Sequence, residues 1–213
     1  MQNLLIDKEP AQNITEQALA YMSNKYSEVF EYLAPFGNSL TGDHQLQVKS
    51  VQFPDHPINV FVENYRRDDR VFLDNYVAVK YRIETLAFLQ KCADQVFAES
   101  RIHYRVSTQP QSAIIKSDAA FIDYLGDART PLNVIFEING RYLESRAQVD
   151  VLANLVITYG TPCYLFMMFL TDEEFAVFDV ESLKKKLVLG DYLDLAKVVH
   201  VDGDLQIKWS EKD

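Results

Sequence analysis

Two short segments that alternate apolar and polar residues, joined by a turn, constrain the fold of this chain more than any other feature. Residues 46–53 alternate with one slip of phase, which is typical of a strand with a β-bulge. Pro54 and Pro57 bracket a turn, and the alternation resumes over residues 58–62. The pattern predicts an antiparallel hairpin, so the chain must build a sheet with one face against a core.

The segments around this hairpin follow other periodicities. Residues 13–27 have helical spacing and predict an amphipathic helix capped by Asn13, and residues 30–33 predict a short strand. No Gly or Pro interrupts residues 74–97, whose apolar spacing predicts one long helix, although residues 77–81 also alternate as in a strand. A helix packed on an antiparallel sheet is therefore the expected start of the chain.

The second half of the chain mixes helices and strands in the same way. Residues 163–170 form a continuous apolar run, typical of a strand buried on both faces, and Thr171 can cap a helix after it. The other predicted elements are a strand at 102–106, a helix at 117–125, a strand at 132–138, a helix at 144–158 and a closing hairpin over 198–209. The predicted fold class is α+β, mainly antiparallel sheet with packed helices, as a single unit of residues 1–213 or two abutting subdomains dividing near 98–112.

The charge of the chain excludes some partners. Its 31 acidic and 21 basic side chains give a formal charge of −10, and phosphate contacts need a surplus of Lys and Arg. The same charge disfavours an anionic membrane surface. Residues 1–10 lack the cationic start and apolar run of a signal peptide, so a cytoplasmic protein is expected, with an omitted leader left open.

Cysteine and histidine give no pattern of a metal or redox site. Cys92 and Cys163 lie among apolar neighbours and are expected to be buried thiols. The pairs Asp43-His44 and Asp55-His56 offer metal-ligand types, but about ten extended residues span roughly 30 Å and separate them. His103 and His200 each stand alone in a strand, which is typical of a surface or rim residue. We therefore expect no metal and no cofactor.

Two short motifs lack the residues their chemistry needs. The run from Gly37 to Gly42 has the glycine spacing of a phosphate-binding loop, but Asp43 and His44 follow where Lys and Ser or Thr are required. Ser182-Leu183-Lys184-Lys185 fits a Ser-x-x-Lys pattern without its companion motifs. Neither motif predicts an activity.

Two polar loops are the predicted binding surfaces. The first is the loop 35–44, and the second is the segment 64–70, which is rich in the Tyr and Arg side chains favoured as interface anchors. The residues predicted to bind are Asn38, Ser39, Tyr65, Arg66, Arg67 and Arg70.

The leading functional hypothesis is a non-catalytic binding or protein-interaction module, acting on an unknown protein partner or a small ligand. The alternative is a small hydrolase-type enzyme whose His, Cys and carboxylate groups converge only in the fold, for example at a carboxylate pair of Glu137 and Glu144. Nucleic acid and membrane are not expected as partners, and a homo-oligomer is left open. A histidine within hydrogen-bond reach of a Cys or a carboxylate, in a pocket, would favour the enzyme.

The chain resembles a family of uncharacterised bacterial proteins, most closely over residues 13–82. The segments that carry the resemblance are Asn13-Ile14-Thr15, Ala20-Tyr21-Met22, Phe30-Glu31-Tyr32, Gly37-Asn38-Ser39, Thr41-Gly42 and the run from Asp74 to Tyr81. The family has no assigned activity, so the resemblance implies no catalytic residue. The helix-then-hairpin start also looks like cystatin-type folds, in which a sheet wraps a helix, and such folds serve many functions.

Overall fold

The computed structural model describes residues 8–38, 44–64, 67, 69–111, 115–127, 131–140, 142–178 and 196–210. The chain divides into two compact units. The first unit comprises residues 1–80 and 108–119, and the second comprises residues 81–107 and 120–213. The predicted single unit, with its optional division near 98–112, stays a prediction.

The first unit is a helix followed by a four-stranded antiparallel sheet of order β1-β2-β3-β4. Ile14, Ala18 and Met22 recur every four positions on the helix and are buried, so one helical face supplies its part of the core. The elements are α1 (Lys8–Tyr26), β1 (Phe30–Asn38), β2 (His44–Ser50), β3 (Ile58–Glu63), β4 (Val71–Asp74) and α2 (Tyr76–Lys80).

The predicted hairpin is present, but three boundaries in the first unit differ from the predictions. Asn13 is not a cap: it lies inside α1 and accepts a hydrogen bond of 2.7 Å from Gln17. Strand β1 continues to Asn38, so much of the predicted 35–44 loop is strand. Strand β2 ends at Ser50 and Val51 is 76% exposed, so the slip of phase marks the end of the strand, not a bulge within it.

The long helix predicted for residues 74–97 is wrong. Asp74 ends strand β4, where it pairs with Val60 of β3, and its carboxylate accepts the N–H of Tyr76 at 2.9 Å as α2 begins. A second break at Tyr81 separates α2 from α3 (Arg82–Asp94). The helical spacing holds on both sides of this break, and the strand-like alternation of residues 77–81 does not correspond to a strand.

The second unit is a mixed five-stranded sheet of order β5-β6-β7-β8-β9 with helices around it. Strands β6 and β7 are parallel and connected through α5, whereas the other neighbouring pairs are antiparallel. Besides α3, its elements are β5 (Ser100–Arg105), α4 (Phe121–Leu125), β6 (Leu132–Asn139), α5 (Tyr142–Ile157), β7 (Cys163–Leu170), α6 (Asp172–Val177), β8 (Ala196–Val201) and β9 (Ile207–Ser210).

Several predictions for this unit are confirmed. Strand β7 has the predicted bounds, Thr171 caps α6 by accepting the Glu174 N–H at 3.3 Å, and β8 and β9 form the closing hairpin. Helix α4 is shorter than predicted and is preceded by Ala120 instead of Ser117 as its cap. Lys184, Lys185 and Lys186 lie outside the described residues.

The fold class is α+β, as predicted, while the cystatin-type likeness of the first unit stays a prediction. Over the part of the chain that the structure describes, no helix combines the length and the apolar character needed to cross a membrane.

Candidate functional site

The second sheet buries one face and leaves the other partly open. On β6, Val134 and Phe136 are fully buried on the covered face, whereas Asn133 is exposed and Ile135 half-buried on the other. Cross-strand partners share a face, so the register extends this second face over all the strands. The open face consists of Arg101, His103, Arg105, Asn133, Ile135, Glu137, Tyr164, Phe166, Met168, Val198, His200 and Lys208.

These side chains form three rows across the strands, which become more exposed from the first row to the third. The first row is Arg101, Glu137 and Met168; the middle row is His103, Ile135, Phe166 and Val198; the polar row is Arg105, Asn133, Tyr164, His200 and Lys208. Glu137 is 1% exposed, whereas Arg105, Asn133 and Lys208 are exposed. Strand β7, predicted to be buried on both faces, leaves Tyr164 and Phe166 half-buried because this face is only partly covered.

Glu137 is a buried carboxylate with two basic side chains from β5 beside it. His103 Nε2 lies 2.6 Å from its Oε1, and Arg101 Nη1 lies 3.4 Å from its Oε2. Arg101 also donates a 2.6 Å hydrogen bond to the Phe175 carbonyl and places its guanidinium 3.9 Å from the Phe175 ring centroid. Helix α6 therefore holds Arg101 in place beside Glu137.

The contact between His103 and Glu137 is close but is not aligned as a hydrogen bond, since neither facing atom has a hydrogen-bond partner. The His103 side chain is 32% exposed, while that of Glu137 is 1% exposed. An imidazole beside a buried carboxylate is a pair of groups that enzymes use for general acid–base catalysis. The site therefore has the parts for acid–base chemistry.

The polar row contains a rigid pair of rings. Tyr164 and His200 are cross-strand partners whose rings stack at 4.2 Å with an angle of 3° between their planes. At the β9 end, Lys208 forms a 2.6 Å ion pair with Asp202, which raises the pKa of the Lys208 amine and lowers that of the Asp202 carboxyl. Lys208 thus already has a counter-charge.

The first unit contains a different cluster, centred on Asp74, whose side chain is fully buried. Its carboxylate accepts hydrogen bonds from the Tyr21 hydroxyl at 2.7 Å, the Lys25 amine at 2.8 Å, the Tyr26 hydroxyl at 2.7 Å and the Tyr76 N–H at 2.9 Å. Burial, and then the charge of Asp74, raise the pKa values of Tyr21 and Tyr26 well above the ordinary range. Both phenols are therefore neutral donors, and this cluster ties α1 to β4.

Glu28 extends this cluster through aromatic stacking. The ring of Tyr76 stacks on that of Tyr26 at 4.0 Å and its hydroxyl donates to Glu28, which also accepts a 2.6 Å hydrogen bond from Ser50. Burial raises the pKa of Tyr76 as well. Every carboxylate oxygen of Asp74 and Glu28 has a protein donor, which leaves little capacity for a ligand.

The two cysteines are free and buried, as predicted. Burial raises the pKa of the Cys163 thiol to about 12 and also raises that of Cys92. Both thiols are protonated at neutral pH, and the thiolate is the reactive form. Neither cysteine is placed to act as a nucleophile.

The predicted binding residues belong to the first unit. Asn38 is the last residue of β1, and Ser39, Tyr65 and Arg66 lie outside the described residues. Arg67 is exposed, with its N–H donating to the Asn64 carbonyl at 2.8 Å. Arg70 donates a 3.2 Å hydrogen bond to Gln17 of α1. These positions stay predictions of a binding surface.

The histidines are placed differently from the predictions. His44 begins β2, with a pKa lowered by burial, and His56 lies in the turn beyond the other end of that strand. His103 and His200 are not isolated rim residues, because sheet register gives each a partner. Among the described residues, no three His, Cys, Asp or Glu side chains group as metal ligands.

Of the predicted carboxylate pair, Glu137 pairs with His103 and Arg101, while the side chain of Glu144 is outside the described part. The sequence holds a signal for the observed cluster. Arg101 and His103 share one face of a strand, and an antiparallel neighbour with an acid at the matching position would bring the three together. Recognising this signal requires knowing that β5 pairs with β6, and the alternation of apolar and polar residues does not show which strands are neighbours.

Comparisons with known proteins assign no activity. No protein-family model matches the chain, and no curated protein matches it. A solved structure of a DUF5037 family protein from Ruminococcus gnavus is similar over 93% of this chain and 95% of that chain, with 14% identity and a TM-score of 0.42.

Proposed function

We propose that this protein is a non-catalytic binding module whose contact surface is the open face of the second sheet. The observation that carries the proposal is the half-buried pair Ile135 and Phe166, which lies beside a row of polar side chains while the opposite face is packed. Apolar area bordered by hydrogen-bonding groups is the usual composition of a ligand site.

The size of this surface favours a small ligand over a folded protein. Five strands at about 4.8 Å spacing span roughly 19 Å, and the two exposed rows lie about 7 Å apart along the strands. The resulting area, about 130 Å², is well below the roughly 800 Å² that each partner buries in a standard protein interface. A small molecule or a short peptide fits this area.

A thermal-shift screen against metabolites, nucleotides and metals tests the proposal, with backbone NMR to map each hit on the full chain. A ligand at about 100 times its dissociation constant should stabilise the fold by about 2.7 kcal/mol. We expect the shifted amide signals to lie on β6, β7 and β8. Hits that map only to the predicted loops 35–44 and 64–70 would contradict the open face and favour the first unit as the binding surface.

A second candidate function is supported by the contact of His103 with Glu137. We propose, as the alternative, a hydrolase-type site in which His103 takes a proton from water while the carboxylate of Glu137 stabilises the imidazolium that forms. Water is the nucleophile because both cysteine thiols are protonated at neutral pH. The close Nε2–Oε1 contact leaves Nδ1 as the nitrogen that exchanges a proton with the reacting water.

A panel of ester, amide and phosphoester substrates tests this alternative. Any turnover that belongs to this site should fall by at least a hundredfold in both His103→Gln and Glu137→Gln. His56→Gln is the matched control, since His56 is also half-buried but lies in the first unit. Turnover that survives in His103→Gln would exclude this site as its source.

A cytoplasmic location is part of the proposal, and it is supported by two thiols that are free. A homo-oligomer stays a prediction, tested by light scattering over a concentration series, where a monomer at every concentration would contradict it.

A further inference from the structure

We infer that the open face binds a small organic anion with an apolar body, and that Arg105 holds the anionic group. The inference rests on the proposed binding function and names the class of ligand. A carboxylate or a phosphate group would satisfy the same arginine, since both accept two parallel N–H donors from a guanidinium.

The counter-charges on the open face are distributed unevenly, and they single out one end of the polar row. Arg101 of the first row and His103 of the middle row both face Glu137, so each has an acidic partner. At the β9 end of the polar row, Lys208 is paired with Asp202.

Arg105, at the β5 end, is different. It is exposed, and among the residues that the structure describes no carboxylate lies within ion-pair distance of it. In a chain with a formal charge of −10, an exposed guanidinium with no acidic partner among the described residues is a position that attracts an anion.

The neighbours of Arg105 define the rest of the ligand. Asn133, its register partner on β6, is exposed and has amide groups that can add a hydrogen bond. Tyr164 follows on β7, about 10 Å from β5 at ordinary strand spacing, and its ring is fixed by stacking on His200. Ile135 and Phe166 of the middle row supply the apolar floor. A single aromatic or branched apolar group carrying one anionic group matches these dimensions.

A nucleic acid does not match the polar row. Proteins hold DNA or RNA strands by several phosphate contacts. Among the described residues of the polar row, Arg105 is the cation without an acidic partner, and Asp202 and Asp204 lie at the other end. One anionic group near β5, with the apolar body directed toward β7, is the arrangement that avoids these acids.

Four probes of similar shape test the inference by NMR titration of the full chain: phenylacetate, benzylphosphonate, the neutral phenylacetamide and the cationic phenethylamine. We expect the two anions to shift the amide signals of Arg105, Asn133 and Tyr164, and to bind at least tenfold more tightly than the neutral probe. The ratio between phenylacetate and benzylphosphonate tells which anionic group is preferred.

Arg105→Gln should weaken the anions at least tenfold and leave the neutral probe unchanged. Lys116→Gln, which removes an exposed cation of the first unit outside every predicted binding surface, is the control and should change nothing. The amide spectrum of each variant verifies its fold, and both sites are exposed, so both variants should fold.

Each contrary result has one meaning. Equal binding of the neutral and anionic probes on the open face would overturn the anion inference and leave the binding module intact. Perturbation of the first unit alone would overturn both. Failure of all four probes to perturb the open face at millimolar concentration would overturn the inference, while hits of the thermal-shift screen that map there would preserve the binding module.

Discussion

Asp74 in the first unit and Glu137 in the second are both carboxylates that are almost completely buried, and they are satisfied in different ways. Asp74 accepts four hydrogen bonds, all between 2.7 and 2.9 Å. Glu137 has two basic side chains beside it at 2.6 and 3.4 Å, and the closer contact is not aligned as a hydrogen bond. Burial of a charge alone therefore does not tell a structural site from a functional one.

The difference lies in the exposure and number of the partners. Three of the four donors to Asp74 are two neutral phenols and a backbone N–H, which have no better partner in the folded chain. The partners of Glu137 are half-exposed side chains that water can solvate. We conclude that Asp74 stabilises the fold, whereas the Glu137 cluster can exchange partners.

The largest effect is expected from Asp74→Asn. The substitution keeps the shape of the side chain but replaces one carboxylate oxygen, which accepts hydrogen bonds, with an NH2 group, which donates them. That group then faces other donors, a tyrosine hydroxyl and either the Lys25 amine or the Tyr76 N–H. Leaving such buried donors unpaired should lower the free energy of unfolding by about 3 kcal/mol. Urea denaturation followed by circular dichroism measures this loss. Asp55→Asn, in an exposed turn, is the control and should stay within about 0.5 kcal/mol of the parent.

Glu137→Gln should cost less, about 1.5 kcal/mol, because the amide oxygen can still accept from Arg101 and the partly exposed His103 can turn toward water. The same urea measurement applies. A loss larger than that of Asp74→Asn would contradict the comparison and make Glu137 the structural carboxylate.

Tyr26→Phe should lower the free energy of unfolding by about 1 kcal/mol. It removes one hydrogen bond to Asp74 and keeps the ring that stacks on Tyr76. Tyr32→Phe, at an exposed hydroxyl on β1, is the matched control and should have no effect. Equal values for the two variants would show that the Asp74 contact adds nothing to stability.

The smallest change in stability, within about 0.5 kcal/mol, is expected for His103→Gln, because its side chain is partly solvated. The expected signature is local: the amide signals of β5 and β6 should shift while those of the first unit stay unchanged. A cooperative loss of stability would indicate that His103 is a structural partner of Glu137.

An alkaline titration tests the same comparison through the ionisation of Tyr21. Burial and then the charge of Asp74 raise the pKa of Tyr21, so Asp74→Asn should lower that pKa toward its ordinary value while leaving it raised by burial. NMR of ring-labelled tyrosine resolves Tyr21 from the other tyrosines and follows its titration up to the highest pH at which both proteins stay folded. An unchanged titration curve would show that Asp74 does not act on the phenol.

The sequence predicted the elements whose signals are local. The continuous apolar run of β7, the Thr171 cap and the closing hairpin each depend on neighbouring residues, and each is present. The helical spacing after Asp74 predicted the residues of α2 and α3, but the start of the helix was wrong because Asp74 pairs with Val60 in the sheet, which local spacing does not show.

The candidate site was not predicted because it depends on pairing between distant segments. Glu137 lies 36 residues from Arg101 along the chain, and only the register of β5 on β6 brings them together. In the sequence, His103 stands alone in its strand and Glu137 lies near Glu144, so no local pattern connects His103 with Glu137. The Tyr and Arg content of residues 64–70 predicted a binding surface in that loop, whereas the proposed surface lies on strands. The alternation of a strand shows that one face is buried but does not show that the other face binds a ligand.

The path of the chain between the units has a consequence for synthesis. After β5, the chain returns to the first unit, where the Thr108 carbonyl accepts a hydrogen bond from the side-chain amide of Asn59. The Gln111 N–H donates to the Asp74 carbonyl, and the side-chain oxygen of Gln111 accepts from the Val77 N–H. The first unit therefore cannot be completed on the ribosome until residues of the second have already been made. The two units therefore cannot fold one after the other in the order of synthesis. A cut in the 98–112 region would leave the N-terminal fragment without the residues that hold β4.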